Sequence, residues 1–127
     1  MSEFQRLSGE RYVVLTTYRR NGDPVETPVW VAGEGGELVV WTERQSGKVK
    51  RIRRDPAVRV QAGDLRGRSK HGAAVAGRAR VLDDAGSELV RRAIVGKYGL
   101  LARVTMFFSR LRGGSDRTVG LAIALDD

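Results

Sequence analysis

The chain has 127 residues, no cysteine and a formal net charge of +8. The lack of thiols excludes disulfides, thiol nucleophiles and zinc–thiolate sites. The positive charge calls for an anionic partner: nucleic acid, a membrane surface or a polyanionic small molecule. With 41% hydrophobic and 30% charged residues, the sequence reads as one soluble globular domain over 1–127. The start, Met1-Ser2-Glu3-Phe4-Gln5-Arg6, lacks the apolar core of a signal peptide. No apolar run approaches the roughly 20 residues that span a bilayer. A cytoplasmic location is expected.

In chain order, residues 3–10 predict a short helix or turn ending at Gly9. Arg11–Tyr18 is rich in β-branched and aromatic residues and predicts a strand. Asn21-Gly22-Asp23 favours a tight turn with positive φ, so a hairpin follows. The returning strand runs from Pro24 to about Ala32. Pro28 inside it cannot donate to a ladder, which places the segment at an edge, a bulge or a strand start. Gly33–Gly36 is a second turn, and Glu37–Thr42 is the next strand.

That strand runs into Ser46-Gly47-Lys48-Val49-Lys50-Arg51-Ile52, a short helix that stops before Pro56. Ser46 is placed to cap it through its hydroxyl. Lys48 and Arg51 share one face, and Val49 and Ile52 share another. Free first-turn N–H groups and the helix dipole then make an anion cradle. The same spacing also fits a solvated basic helix.

Ala57–Gly63 alternates apolar and polar residues, a half-exposed strand. Asp64–Gly72 is a polar loop. Ala73–Leu82 is a strand whose small residues suggest close approach by another segment. A main helix spans about 84–98. Leu100–Leu111 is apolar and basic together, Gly113–Asp116 is a loop, and Arg117–Leu125 is the last strand. The order β-β-β-α-β-β-α-β predicts a mainly β fold with α: an antiparallel six-stranded barrel with flanking helices.

His71 is the only histidine and lies in the polar loop without an orienting carboxylate or nucleophile, so it reads as a surface residue. One histidine and scattered carboxylates make a metal site poorly supported, and none is expected. No phosphate-binding P-loop is present, and Gly33-Glu34-Gly35-Gly36 joins antiparallel strands, not a strand and a helix. Aromatics make only 6% and do not interleave with the basic residues, which argues against nucleic acid. Phe107 and Phe108, with Arg110, fit either an amphipathic substrate entrance or a packed helix end. Arg117 fits either a pocket rim or a solvated loop.

Three segments resemble a known family. Asn21-Gly22-Asp23-Pro24-Val25-Glu26-Thr27-Pro28-Val29-Trp30 is similar to its G-x-P-x-x-x-P-V-W hairpin. Lys48 through Ile52-Arg53-Arg54-Asp55-Pro56-Ala57-Val58 is similar to its K-x-x-x-I-R-x-x-P-x-V run. Gly77-Arg78-Ala79 before the main helix completes the set. The family is the pyridoxamine-phosphate-oxidase-like split β-barrels, in the branch of coenzyme F420 (deazaflavin)-dependent oxidoreductases.

The resemblance implies an FMN-binding-like split barrel and a homodimer with cofactor sites at the interface. It implies that Thr27, Pro28, Val29 and Trp30 lie along the deazaflavin ring. Thr42, Arg44, Ser46, Gly47, Lys48 and Arg51 then hold its phosphate and tail, with Arg59 and Gln61 adding contacts. Phe107, Phe108, Arg110 and Arg117 stand as substrate-binding candidates. The implied activity is hydride transfer between the coenzyme and an unsaturated organic substrate, the cofactor carrying the chemistry. An FMN-dependent relative and a non-catalytic cofactor-binding protein are the alternatives.

Overall fold

A computed structural model describes residues 2–64, 69–105 and 117–126. The chain opens with helix α1, Glu3–Ser8. The Ser2 hydroxyl accepts from the Gln5 N–H at 3.1 Å, and the Gln5 side chain accepts from the Ser2 N–H at 3.0 Å. This reciprocal pair satisfies two helix-end donors and sets the start of the helix. Strands β1 (Tyr12–Tyr18) and β2 (Pro24–Val29) form the expected hairpin, turning at Gly22 with φ 92°.

The predicted strand from Pro24 to Ala32 is not continuous. It ends at Val29, and a separate β3 (Ala32–Glu34) pairs with β4 (Glu37–Glu43). The reason lies in Val31. Its N–H donates to the Tyr98 hydroxyl at 3.1 Å, and its carbonyl accepts from Lys97 Nζ at 2.7 Å. Side chains of the main helix have taken the backbone groups that a ladder would use.

Helix α2 (Gly47–Arg54), β5 (Ala57–Gly63), β6 (His71–Val81), α3 (Asp84–Tyr98) and β7 (Thr118–Leu125) complete the order. β6 begins two residues before the predicted Ala73, so His71 lies at a strand start opposite Ala62 rather than in a loop. Its Nε2 is 3.1 Å from Glu10 Oε1.

All pairings are antiparallel, in the order β2-β1-β5-β6-β7-β4-β3. The sheet therefore has seven strands, not the six expected, and its ladder is open. The extra strand is the one created by the break at Trp30–Val31. The two edges, β2 and β3, are joined by those two residues alone. Three Cα steps reach about 11 Å at full stretch, so the sheet must roll until its edges face each other. Pro28 lies on edge strand β2, where a missing N–H costs no ladder bond.

The rolled sheet packs on both faces. Inside it lie Val13, Leu15, Leu38, Val40, Val58, Val60, Leu121 and Ile123, together with Val49 and Ile52 of α2. On the other face, Val39 and Ala122 pack against Val90 and Ile94 of α3. The close approach expected along β6 is found at Gly77. A Cβ there would stand 2.7 Å from the Ala124 carbonyl oxygen of β7.

Candidate functional site

Helix α2 crosses from the end of β4 to the start of β5. Val49 and Ile52 are 0% and 3% exposed and anchor it on the inner core. With that face fixed, Lys48 and Arg51 turn toward the strand ends. Lys48 Nζ donates to Thr42 Oγ1 at 3.0 Å, and Arg51 Nε donates to Thr17 Oγ1 at 2.6 Å. Thr17 continues the inward row of Val13 and Leu15 on β1, and Thr42 continues that of Leu38 and Val40 on β4. Arg54 reaches the Tyr18 carbonyl at 2.5 Å.

The charges here are not neutralised from within. Arg6, Arg80, Arg91 and Arg117 each meet a carboxylate at 2.5 to 2.9 Å. Among the described residues, Lys48 and Arg51 have no carboxylate at ion-pair distance. Burial pushes the Lys48 ammonium below its ordinary range; Arg51 adds to the shift and Glu43 partly offsets it. Burial and then Arg19 and Arg54 do the same to Arg51. A bound anion would relieve both penalties.

Ser46 is the N-cap residue by backbone, with φ −67° and ψ 156°, but its hydroxyl makes no cap hydrogen bond. Its Oγ is buried and has no partner among the described residues. The expected side-chain cap is thus absent, and the first-turn amides lack that acceptor. Gly47 opens the helix, and a Cβ there would lie 2.7 Å from Arg51 Nη1. Thr42, Ser46, Gly47, Lys48 and Arg51 are gathered as one cradle. Thr17 joins them and was not singled out in the sequence. Its signal was a polar residue closing an inward apolar row.

The other candidates are placed elsewhere. Arg44 donates to the Thr118 carbonyl at 3.3 Å and stands 3.8 Å from Asp84, turned toward α3 and β7. Thr27 and Val29 pair with Leu15 and Val13 on the inward face, while Pro28 pairs with Val14 on the outer one. Trp30 stacks on Tyr98, centroids 4.5 Å apart and planes 9° apart. It follows the Val29 end of β2, and Val13 to Thr17 spans about 13 Å at the usual strand rise.

Arg59 and Gln61 line a separate outer groove of about 360 Å³ with Val14, Thr16, Tyr18, Pro24, Glu26 and Ala74. Strand β1 divides groove from cradle, with Thr16 and Tyr18 on one side and Thr17 on the other. Arg117 pairs with Glu43, next to Thr42, at 2.9 Å. Phe107, Phe108 and Arg110 lie outside the described residues. Among the described residues no cluster of metal-ligating side chains occurs, and no helix is long and apolar enough to cross a membrane.

A family model described as pyridoxamine 5'-phosphate oxidase matches residues 2–119. The chain belongs to this family. Solved structures of the same fold extend the comparison. The conserved hypothetical protein Rv2991 from Mycobacterium tuberculosis superposes with a TM-score of 0.75 at 22% identity, over 100% of this chain and 82% of that one. A FAD-binding protein from Mesorhizobium loti gives 0.67 at 20% identity, over 100% and 90%. An F420 reductase gives 0.61 at 17%, over 100% and 96%. No protein of curated function matches the chain.

Membership in the pyridoxamine 5'-phosphate oxidase family makes a flavin-type cofactor the relevant ligand class. The cradle suits the phosphate end of such a group. Among the described residues it offers two cations without a carboxylate partner, a helix start without a side-chain cap, a buried hydroxyl lacking a partner, and a glycine where a side chain would intrude on Arg51.

Proposed function

We propose that this protein is a coenzyme F420-dependent oxidoreductase acting as a single-domain homodimer. The observation that carries the reading is the cationic cradle of Lys48 and Arg51 at the start of α2, which meets no carboxylate at ion-pair distance among the described residues. In this reading Ser46, Gly47, Lys48, Arg51 and Thr42 bind the phosphodiester. Thr27, Pro28, Val29 and Trp30 run beside the ring, and Arg44 lies toward the tail; Arg59 and Gln61, across β1 from the cradle, reach only a part of the ligand that extends past that strand into the outer groove. Ala74 and Ala76 on β6 are small and exposed, which leaves room for a second subunit to approach that strand.

When bound, the deazaflavin supplies hydride transfer to or from an unsaturated organic substrate. The chain's own residues bind, orient and exclude water. Lys48 and Arg51 neutralise the phosphate, and Arg51 is held by Thr17, so that the ring is fixed by its anchored end. The inward apolar rows of β1 and β4 give a dry wall beside the cradle. Arg117, and Arg110 with Phe107 and Phe108, are proposed on the substrate side. No protein nucleophile is needed.

A second reading puts FMN in the same cradle, which the family match accommodates as a flavin-type cofactor. A cofactor-binding protein without turnover is the third. Titrating the purified protein with coenzyme F420 and with FMN at low salt separates them. Fluorescence quenching of the deazaflavin at micromolar or tighter affinity supports the first reading, and no quenching rejects it. A protein that purifies yellow and prefers FMN supports the second. Tight coenzyme binding without oxidation of the reduced form by any of a broad acceptor panel supports the third.

A further inference from the structure

Arg51 is tied at one end to a buried acceptor, and its guanidinium occupies the space beside Gly47 that a side chain there would need. Its Nε donates to Thr17 Oγ1 at 2.6 Å, and Thr17 is only 1% exposed. At the other end, Nη1 and Cζ stand 2.7 and 3.5 Å from where a Cβ on Gly47 would be. The side chain is thus folded back along its own helix, with the guanidinium laid over the first turn. Tying Nε to Thr17 leaves the N–H groups on Nη1 and Nη2 for a ligand.

We propose that Thr17 and Gly47 are positioning residues: they hold the Arg51 guanidinium against the start of α2, so that it and the first-turn amides close on one phosphate-type oxyanion. This rests on the reading of the cradle as a phosphate site. Thr17 supplies a fixed acceptor in the strand. Gly47 supplies the missing volume, which no other residue provides. Arg51 is thereby pre-organised, and its rotamer freedom is spent in folding rather than in binding. Alanine at 47 is a better helix former than glycine. Since the guanidinium is the far end of a flexible side chain, Gly47→Ala should leave the fold intact and displace Arg51.

Binding of inorganic pyrophosphate, measured by calorimetry at low salt, tests this in the wild type and in Gly47→Ala, Thr17→Val, Thr17→Ser and Arg51→Met, with the doubles G47A/R51M and T17V/R51M. Thermal melts accompany each variant. The expected result is a loss of roughly tenfold or more for G47A and for T17V, the scale of one charge-assisted hydrogen bond. T17S should stay near wild type, and G47A should melt no lower than wild type. In the Arg51→Met background, neither G47A nor T17V should cost anything further.

Unchanged affinity in G47A, or losses that persist in the Arg51→Met background, would overturn the proposal. So would absence of pyrophosphate binding to the wild type, or binding that Arg51→Met does not weaken. If T17V does not fold, G47A and T17S decide alone. Pyrophosphate behaviour as expected, with neither coenzyme F420 nor FMN bound, would remove the cofactor reading and keep this one.

Discussion

Lys48 holds its charge against burial and against Arg51, with the Thr42 hydroxyl as its hydrogen-bond partner among the described residues. Its folded-state pKa is therefore depressed from 10.5. A bound phosphate favours the ammonium and raises that pKa again. Coenzyme affinity should then be full below the depressed value and fall as the pH rises through it, short of 10.5. Lys48→Arg should flatten this decline, and Lys48→Ala should weaken binding roughly tenfold to a hundredfold at neutral pH. Titrations across alkaline pH check both, and an unchanged affinity in Lys48→Ala would show that the phosphate lies elsewhere. Glu88 acts in the opposite sense. The Arg91 hydrogen bond holds its carboxyl at about 2, below the ordinary 4.5. A modest, solvent-screened share of stability is present above 4.5 and is lost as the pH falls toward about 2. Thermal melts of Glu88→Gln should lack that share.

At the level of elements, the C-terminal turn of α3 works as a clasp. Lys97 Nζ donates to the carbonyls of Ser8 at 2.8 Å, Val31 at 2.7 Å and Glu10. Tyr98 donates to the Arg11 carbonyl at 2.7 Å and accepts from the Val31 N–H. One turn of helix thus ties α1, the start of β1 and the β2–β3 break. Lys97→Met should lower stability by about 1–2 kcal/mol, since three carbonyls lose a charged donor at a partly solvated site. Urea unfolding reads that loss. The β6–β7 contact sets a second test. Gly77→Ala puts a methyl against the Ala124 carbonyl, a backbone atom that cannot step aside, and should cost about 1–3 kcal/mol. The hairpin at Asn21-Gly22, helix α2 and helix α3 were all legible in the sequence, because turn chemistry and apolar spacing are local. The cap on α2 was not. Ser46 has the right residue type and backbone, yet its hydroxyl makes no cap hydrogen bond.

Across the whole molecule, the excess positive charge is distributed unevenly. Among the described residues, several arginines are paired with carboxylates, while Lys48, Arg51 and Arg54 crowd one end of the rolled sheet without one. Affinity for the deazaflavin coenzyme, with its phosphodiester and glutamate tail, should fall with added salt more steeply than affinity for FMN. Equal slopes in paired titrations would show that charge beyond the phosphate is not recognised.

Taken alone, the sequence determined the mainly β character, most of the strands, the two longer helices and the cationic face of α2, and it narrowed Pro28 to an edge, a bulge or a strand start. Each follows from alternation, turn residues or i,i+3 spacing within one segment. Only the tertiary structure decided the seventh strand, the direction of Arg44, the stacking of Trp30 and the hydrogen bond between Arg51 and Thr17. Val31 leaves its strand because Tyr98 and Lys97, 67 and 66 residues away, take its backbone groups. Arg44 turns because Thr118 and Asp84 lie on its other side. Partners so distant in sequence leave no trace in local spacing, and the rolling of the sheet is what brings them within reach.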